Sequence, residues 1–118
     1  MPAPKLDLQV RMITPQVSAI DLKGEVNGFA DAALAEAFSQ ASGKGVQAIV
    51  LNFEKLEYMN SSGIGLLVTL LIRAQRQKQR LLAAGLSDHY REIFQLTRLN
   101  EAIGIYASEA DAVAVACA

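Results

Sequence analysis

Apolar residues occupy every second position from Leu6 to Met12, and polar residues fill the positions between them. This two-residue period predicts a strand that buries one of its faces. Pro15 then indicates a turn, and a second strand is predicted from Val17 to Lys23. Because only a short turn separates these two strands, we expect them to pair antiparallel.

The spacing of apolar residues changes after Gly28. The segment from Gly24 to Gly28 predicts a loop, and helical spacing then predicts a first helix from about Phe29 to Ala41. The continuous apolar segment from Val46 to Phe53 is too short for an isolated helix and is bounded by turn residues. It therefore favours a strand that is covered on both faces.

Small polar residues precede a second helix, which is predicted from about Ser62 to Gln79. The remaining predicted elements are a strand over Leu81–Ala84, a helix from Ser87 to near Asn100, a strand over Ile103–Tyr106 and a final helix capped by Ser108. Strands separated by helices predict an α/β fold. We expect a mixed, mainly parallel sheet of about five strands with about four helices, in which the first two strands form an antiparallel edge.

The composition predicts one packed domain over residues 1–118, with residues 1–5 as a loose leader, because 52% of the 118 residues are hydrophobic and 19% are charged. The 11 basic and 12 acidic residues give a formal net charge of −1, so charge does not attract nucleic acid or an anionic membrane. The longest apolar run, Ile64 to Ile72, is about half of the roughly 20 residues that a membrane-spanning helix needs.

Cysteine and histidine are too scarce for a disulfide or a structural metal site, since Cys117 and His89 are the only residues of their kinds. The amino-terminal residues do not have the pattern of a signal peptide. These features predict a protein of the reducing cytoplasm that uses neither a metal nor a cofactor.

The segment Asn60-Ser61-Ser62 is a candidate anion site. A helix that begins at Ser61 or Ser62 would direct free backbone N–H groups and the positive end of its dipole at this segment, which suits a phosphoryl group. Ordinary helix capping also requires small polar residues here. Gly63 and Gly65 lower helix propensity by about 1 kcal/mol each relative to Ala, so they indicate close approach to a partner or to the sheet.

The second helix carries more apolar residues than one buried stripe requires. The stripe predicted to cover the sheet consists of Ile64, Leu67, Val68 and Leu71. Leu66 and Leu70 lie on another side of the predicted helix. Such a helix is either enclosed in the core or offers an apolar surface to a partner beside the serines.

Other chemistries lack their motifs. Gly63 and Gly65 have no third glycine at dinucleotide-binding spacing, and no P-loop lysine is present. A serine hydrolase would need G-x-S-x-G, but Met59 stands where Ser61 would need the first glycine, and His89 is the only histidine available as a base. The basic residues that end the second helix lack interleaved aromatic residues, which favours a solvated face over a nucleic-acid site.

Several segments match a known family: Ile49-Val50-Leu51-Asn52-Phe53, Leu56 and Tyr58-Met59-Asn60-Ser61-Ser62-Gly63-Ile64-Gly65-Leu66-Leu67. They resemble the signature of the anti-sigma factor antagonists, which are stand-alone members of the domain shared by sulfate transporters and anti-sigma factor antagonists, called STAS. The resemblance extends to Leu22–Val26, Leu81–Gly85 and Ile93–Leu99, so it covers nearly the whole chain.

The resemblance implies a STAS fold and a phosphorylation-controlled binding module, not an enzyme. In this family the dephosphorylated antagonist binds an anti-sigma factor that is also an ATP-dependent serine kinase, which frees a sigma factor for transcription, and a serine phosphatase reverses the modification. By position, the phosphorylated residue would be Ser61, whereas Ser62 would cap the helix or support the loop. The implied partner-binding residues are Asn60, Ser61, Ser62, Gly63, Ile64 and Leu66.

Asn60 departs from the family pattern, which usually has an acidic residue at this position. The amide keeps the shape and capping ability of the acid but loses a charge that could orient the serine hydroxyl or match a basic partner. Two functions therefore stay open. One is an antagonist that phosphorylation at Ser61 switches off, and the other is a non-phosphorylated STAS docking subunit of a transport or signalling assembly.

Overall fold

The computed structural model describes residues 6–117, so the leader predicted for residues 1–5 lies outside the described residues. The strands are β1 (Leu6–Thr14), β2 (Val17–Val26), β3 (Ala48–Met59), β4 (Arg80–Ala84) and β5 (Gly104–Tyr106). They form one sheet in the order β1-β2-β3-β4-β5. β1 pairs antiparallel with β2, and the other neighbours pair in parallel. The predicted α/β fold with its antiparallel edge is confirmed.

In the described part of the chain, four α-helices accompany the sheet: α1 (Asp31–Ala41), α2 (Ser61–Arg76), α3 (Asp88–Leu96) and α4 (Glu109–Ala116). Helices α1, α2 and α3 share a core with one face of the sheet, in which Phe38, Leu67 and Phe94 are buried. Helix α4 packs on the opposite face through Ala112. The central strand β3 therefore contributes buried residues to both cores, as its continuous apolar sequence predicts.

Strand β3 ends at Met59, and the predicted end at Phe53 is wrong. Its second half continues to pair with β2, where Val26 lies opposite Met59, but the register shifts on the way. Such a bulge breaks the alternation of buried and exposed side chains. The sequence pattern therefore gave no signal for a strand in this half, although the backbone ladder continues.

The predicted start of the first helix at Phe29 is also wrong, because a 3₁₀ turn over Gly28–Ala30 precedes α1. Asn27 closes this turn: its Oδ1 accepts a hydrogen bond from the Phe29 N–H at 2.9 Å, and its carbonyl accepts one from Ala30 at 3.0 Å. The turn leaves the Phe29 side chain 98% exposed.

Helix α2 ends at Arg76 and not at the predicted Gln79, because a Schellman motif stops it. Lys78 adopts a left-handed conformation with φ of 59°. The Gln79 N–H then donates to the Ala74 carbonyl at 2.8 Å, and the Lys78 N–H donates to Gln75 at 3.1 Å. Helix α3 stops before its predicted end near Asn100 for a related reason, since Arg98 has φ of 64°.

Candidate functional site

The serine segment lies where β2 and β3 end side by side. Met59 is the last residue of β3, Asn60 is the N-cap of α2, and Ser61 and Ser62 are the first two residues of the helix. Ligands of sheets that contain parallel strands commonly bind at the carboxyl ends of those strands. Ser61 and Ser62 are both exposed at this end of the sheet.

Asn60 caps α2, so of the two roles predicted for Ser62, capping the helix or supporting the loop, the capping role is wrong. The Asn60 Oδ1 accepts a hydrogen bond from the Gly63 N–H at 2.9 Å, and its carbonyl accepts one from Ile64 at 3.0 Å. Because the helix begins at Ser61, only the residue before it can reach the third amide of the first turn. Neither serine hydroxyl therefore caps the helix.

The start of α2 retains the properties of an anion site. The N–H groups of Ser61 and Ser62 occupy the positions that an α-helix leaves without intrahelical acceptors. The first turn contains no acidic residue, whereas Arg73 and Arg76 lie in the last turn. The positive end of the helix dipole is therefore not neutralised from within the helix.

The two glycines of this segment have different roles. A Cβ added at Gly63 would lie 2.4 Å from the Val26 carbonyl oxygen, so Gly63 permits the close packing of α2 on the end of β2. A Cβ added at Gly65 would meet no atom of the described residues within 4 Å, apart from its chain neighbours and the backbone of its own helix. Of the alternatives that the sequence left open, close approach to the sheet explains Gly63, and the fold gives no steric reason for Gly65.

Two contacts hold the segment from below. The Asn60 N–H donates to the Val26 carbonyl at 3.2 Å, and the Met59 N–H donates to the Tyr90 hydroxyl on α3 at 2.8 Å. The sequence analysis did not identify Tyr90 as a residue of this site. The sequence did offer one signal, the residue type, because a tyrosine in a buried position needs a hydrogen-bond partner for its hydroxyl.

Apolar side chains surround the serines on the outer surface. Ile64 and Leu66 are half-buried, whereas Leu70 belongs to the core. Of the two roles left open for the second side of this helix, enclosure in the core describes Leu70. Phe29 is a neighbour that the sequence analysis did not identify as functional. A Cβ added at the adjacent Gly28 would lie 3.5 Å from the Ser62 Cβ, which places the exposed Phe29 beside the serine segment.

Residues 6–117 lack the features of two other kinds of site. This part of the chain contains no group of three or more His, Cys, Asp or Glu side chains that could hold a metal ion. It also contains no helix of sufficient length and apolar character to cross a membrane. His89 is exposed on α3, with its ring centroid 4.9 Å from that of Tyr90.

Comparison with known proteins points to one family. The STAS domain family matches this chain over residues 10–112. The anti-sigma-B factor antagonist of Staphylococcus aureus is 28% identical over 82 residues, which cover 70% of this chain and 76% of that protein.

Solved structures with the same fold include anti-sigma factor antagonists. The Bacillus cell fate determinant SpoIIAA in its phosphorylated form is 28% identical, with a TM-score of 0.67 over 91% of this chain and 96% of that one. An anti-sigma factor antagonist from Mycobacterium paratuberculosis superposes with a TM-score of 0.78 over 100% of both chains at 21% identity, a likeness of fold alone.

Proposed function

The chain belongs to the STAS domain family, and we propose that it is a cytoplasmic anti-sigma factor antagonist. It binds a kinase-type anti-sigma factor, which releases a sigma factor, and phosphorylation of Ser61 by that kinase switches the binding off until a serine phosphatase removes the phosphate. In this proposal the chain is a binding protein and the catalysis belongs to its partners. The name of its Staphylococcus aureus relative, an anti-sigma-B factor antagonist, supports the class of partner.

The observation that carries the proposal is the exposed position of Ser61 at the start of α2, where Asn60 has taken over the capping role. An exposed hydroxyl that does not cap the helix can enter the active site of a kinase. Ser62 is also exposed but lies against Gly28, which makes Ser61 the freer acceptor. The position of Ser61 in the family signature supports the same choice.

The chemical step is phosphoryl transfer from ATP held by the partner. The Ser61 Oγ forms a bond to the γ-phosphorus while the bond from that phosphorus to the ADP oxygen breaks, and the hydroxyl proton passes to a base on the kinase. The product carries about −1.5 to −2 charges. Because this charge lies at the positive end of the α2 dipole, we expect the helix to remain folded.

The switch then acts at the interface. The proposed partner-binding surface includes Asn60, Ser61, Ser62, Ile64 and Leu66, with Phe29 as an additional aromatic contact. Gly63 is buried against Val26, so it contributes by placing the helix. A phosphate in the middle of this partly apolar surface would lose its hydration on binding, and this loss opposes the complex unless the partner supplies compensating charges.

Phosphorylation followed by mass spectrometry tests the proposal. When the purified protein is incubated with the anti-sigma factor kinase of its own organism and ATP, we expect phosphate on Ser61 and none on the Ser61→Ala variant. Ser62→Ala is the matched control and should still be phosphorylated. Absence of phosphate from Ser61, while the kinase phosphorylates another substrate, would overturn the switch.

Binding measurements by calorimetry test the interface. We expect Ser61→Asp to weaken binding of the same kinase by at least about tenfold, which corresponds to about 1.4 kcal/mol, and Ser61→Ala to preserve it. Ser62→Asp controls for a charge placed one residue away. Equal affinities of wild type and Ser61→Asp would contradict the interface argument.

Asn60 favours a second candidate, a docking subunit that is never phosphorylated. Here the same surface would bind a component of a transport or signalling assembly permanently. This candidate predicts stable binding of such a component together with no phosphate on Ser61 in protein isolated from growing cells. Phosphate on Ser61 in those cells would exclude it.

A further inference from the structure

Tyr90 connects helix α3 to the strand end that precedes the serines. Its residue is only 7% exposed, and the Ser87 Oγ accepts a hydrogen bond from its backbone N–H at 3.4 Å. Its hydroxyl accepts a hydrogen bond from the Met59 N–H at 2.8 Å, and this contact is buried. The contact joins residues that lie 31 positions apart in the chain.

The Met59 amide needs this acceptor because β3 is longer than its neighbour β4. Strand β4 pairs only with the first part of β3, from Ala48 to Asn52. Beyond Asn52, strand β3 keeps β2 on one side and has no strand partner on the other among residues 6–117. The Tyr90 hydroxyl supplies, at Met59, the acceptor that a longer β4 would have supplied.

We propose that Tyr90 is a positioning residue that fixes the Met59–Asn60 segment and thereby presents Ser61 to the kinase. The inference rests on the proposed function of Ser61 as phosphoacceptor. Asn60 follows Met59 directly, and its side chain sets the start of α2. A change in the direction of the peptide between these residues therefore moves the Ser61 hydroxyl, while the surface around Phe29 and Leu66 stays in place.

The test is the Tyr90→Phe variant, with Tyr58→Phe as the matched control because Tyr58 is 52% exposed. Loss of the hydroxyl leaves a buried N–H without an acceptor, so amide hydrogen exchange at Met59 should accelerate about tenfold relative to that at Val50. In steady-state phosphorylation of Ser61, kcat should fall about tenfold because the reacting oxygen is displaced. KM should change much less than kcat because Phe29, Ile64 and Leu66, the apolar part of the partner-binding surface, stay in place.

Separate measurements distinguish this role from general destabilisation. A merely structural role would accelerate exchange at Met59 and Val50 alike, and loss of folded protein would appear in the circular dichroism of the variant. Unchanged exchange at Met59 would overturn the tether, and an unchanged kcat despite faster exchange would overturn the positioning role. If wild type takes up no phosphate on Ser61 from an active kinase, the proposed function and the presentation of Ser61 both fail, whereas the exchange measurement still decides whether Tyr90 holds the segment.

Discussion

The first turns of α2 and α4 contain similar residues that have different roles. At α4 the serine itself is the cap: the Ser108 Oγ accepts a hydrogen bond from the Asp111 N–H at 3.1 Å, and Glu109 adds a second acidic side chain to the first turn. At α2 the cap is Asn60, the serines follow it, and the first turn has no acidic residue. A shift of one position therefore changes a serine from a structural residue into an available hydroxyl.

Electrostatics follows the same division. The acidic residues of α4 offset the positive end of its dipole from within the chain. The chain places no negative charge in the first turn of α2. In the proposed function the phosphate on Ser61 supplies this charge. Helix α3 resembles α4, since Ser87 caps it and Asp88 lies in its first turn. Among these three helices, α2 differs by having both an exposed hydroxyl and an unneutralised dipole.

The largest expected effect on stability distinguishes the two glycines in the first turns of α2. Gly63→Ala places a Cβ 2.4 Å from the Val26 carbonyl oxygen, and this backbone atom cannot move aside cheaply. We expect the free energy of unfolding to fall by about 2 kcal/mol, which is a typical cost of overpacking a core. Gly65→Ala meets nothing within 4 Å and should raise it by about 0.5–1 kcal/mol through helix propensity.

Urea denaturation of both variants measures these changes. Because the substitution is the same and the positions lie two residues apart, the pair separates steric packing from helix propensity. A stabilised Gly63→Ala variant would mean that α2 can move away from β2, and the position of Ser61 would then be less firmly fixed than the structure indicates.

A second comparison concerns the caps themselves. Asn60→Ala removes the acceptor for the Gly63 N–H, and Ser108→Ala removes the acceptor for the Asp111 N–H. Each should lower the free energy of unfolding by about 1 kcal/mol in urea denaturation. Only Asn60→Ala should also slow phosphorylation of Ser61, since Ser108 caps a helix on the opposite face of the sheet. An equal effect of both variants on phosphorylation would remove the distinction between the two helix starts.

Much of this architecture could be predicted from the sequence because local patterns report it directly. The alternation in β1, the apolar run at the start of β3 and the serine caps of α3 and α4 each depend on neighbours in sequence. The position of Ser61 at the start of a helix could be predicted for the same reason. Its freedom from capping could not, because it depends on which residue begins the helix, and helix ends are set by hydrogen bonds that Ser61, Ser62 and Asn60 can all make.

The features that escaped prediction depend on tertiary contacts. Strand β3 continues past Phe53 because β2 still pairs with it. The contact between Tyr90 and Met59 exists only once α3 has packed beside β3. The apolar pattern left open whether Leu70 is enclosed or exposed, and the packing of α2 within the core decides it.

The smallest expected effect tests the electrostatic half of the comparison, at Glu109. Hydrogen bonds from Arg11 hold the pKa of the Glu109 carboxyl below its ordinary value of 4.5, with a further hydrogen bond from Asn52 acting in the same direction against the effect of partial burial. Because the folded-state pKa lies below the unfolded value, the charged carboxylate stabilises the fold above about pH 4.5. This stabilisation disappears as the pH falls through the folded-state pKa.

Urea denaturation of wild type and Glu109→Gln at a series of pH values from 6 to 3 measures this stabilisation. Asp111→Asn is the control for an exposed carboxylate of the same turn. At pH 6 the free energy of unfolding of wild type should exceed that of Glu109→Gln by about 0.5 kcal/mol, because a partly solvated ion pair contributes little. This difference should disappear at low pH. If the two curves run parallel, the charge of Glu109 contributes nothing to folding. The difference between α2 and α4 would then lie in the placement of their caps alone.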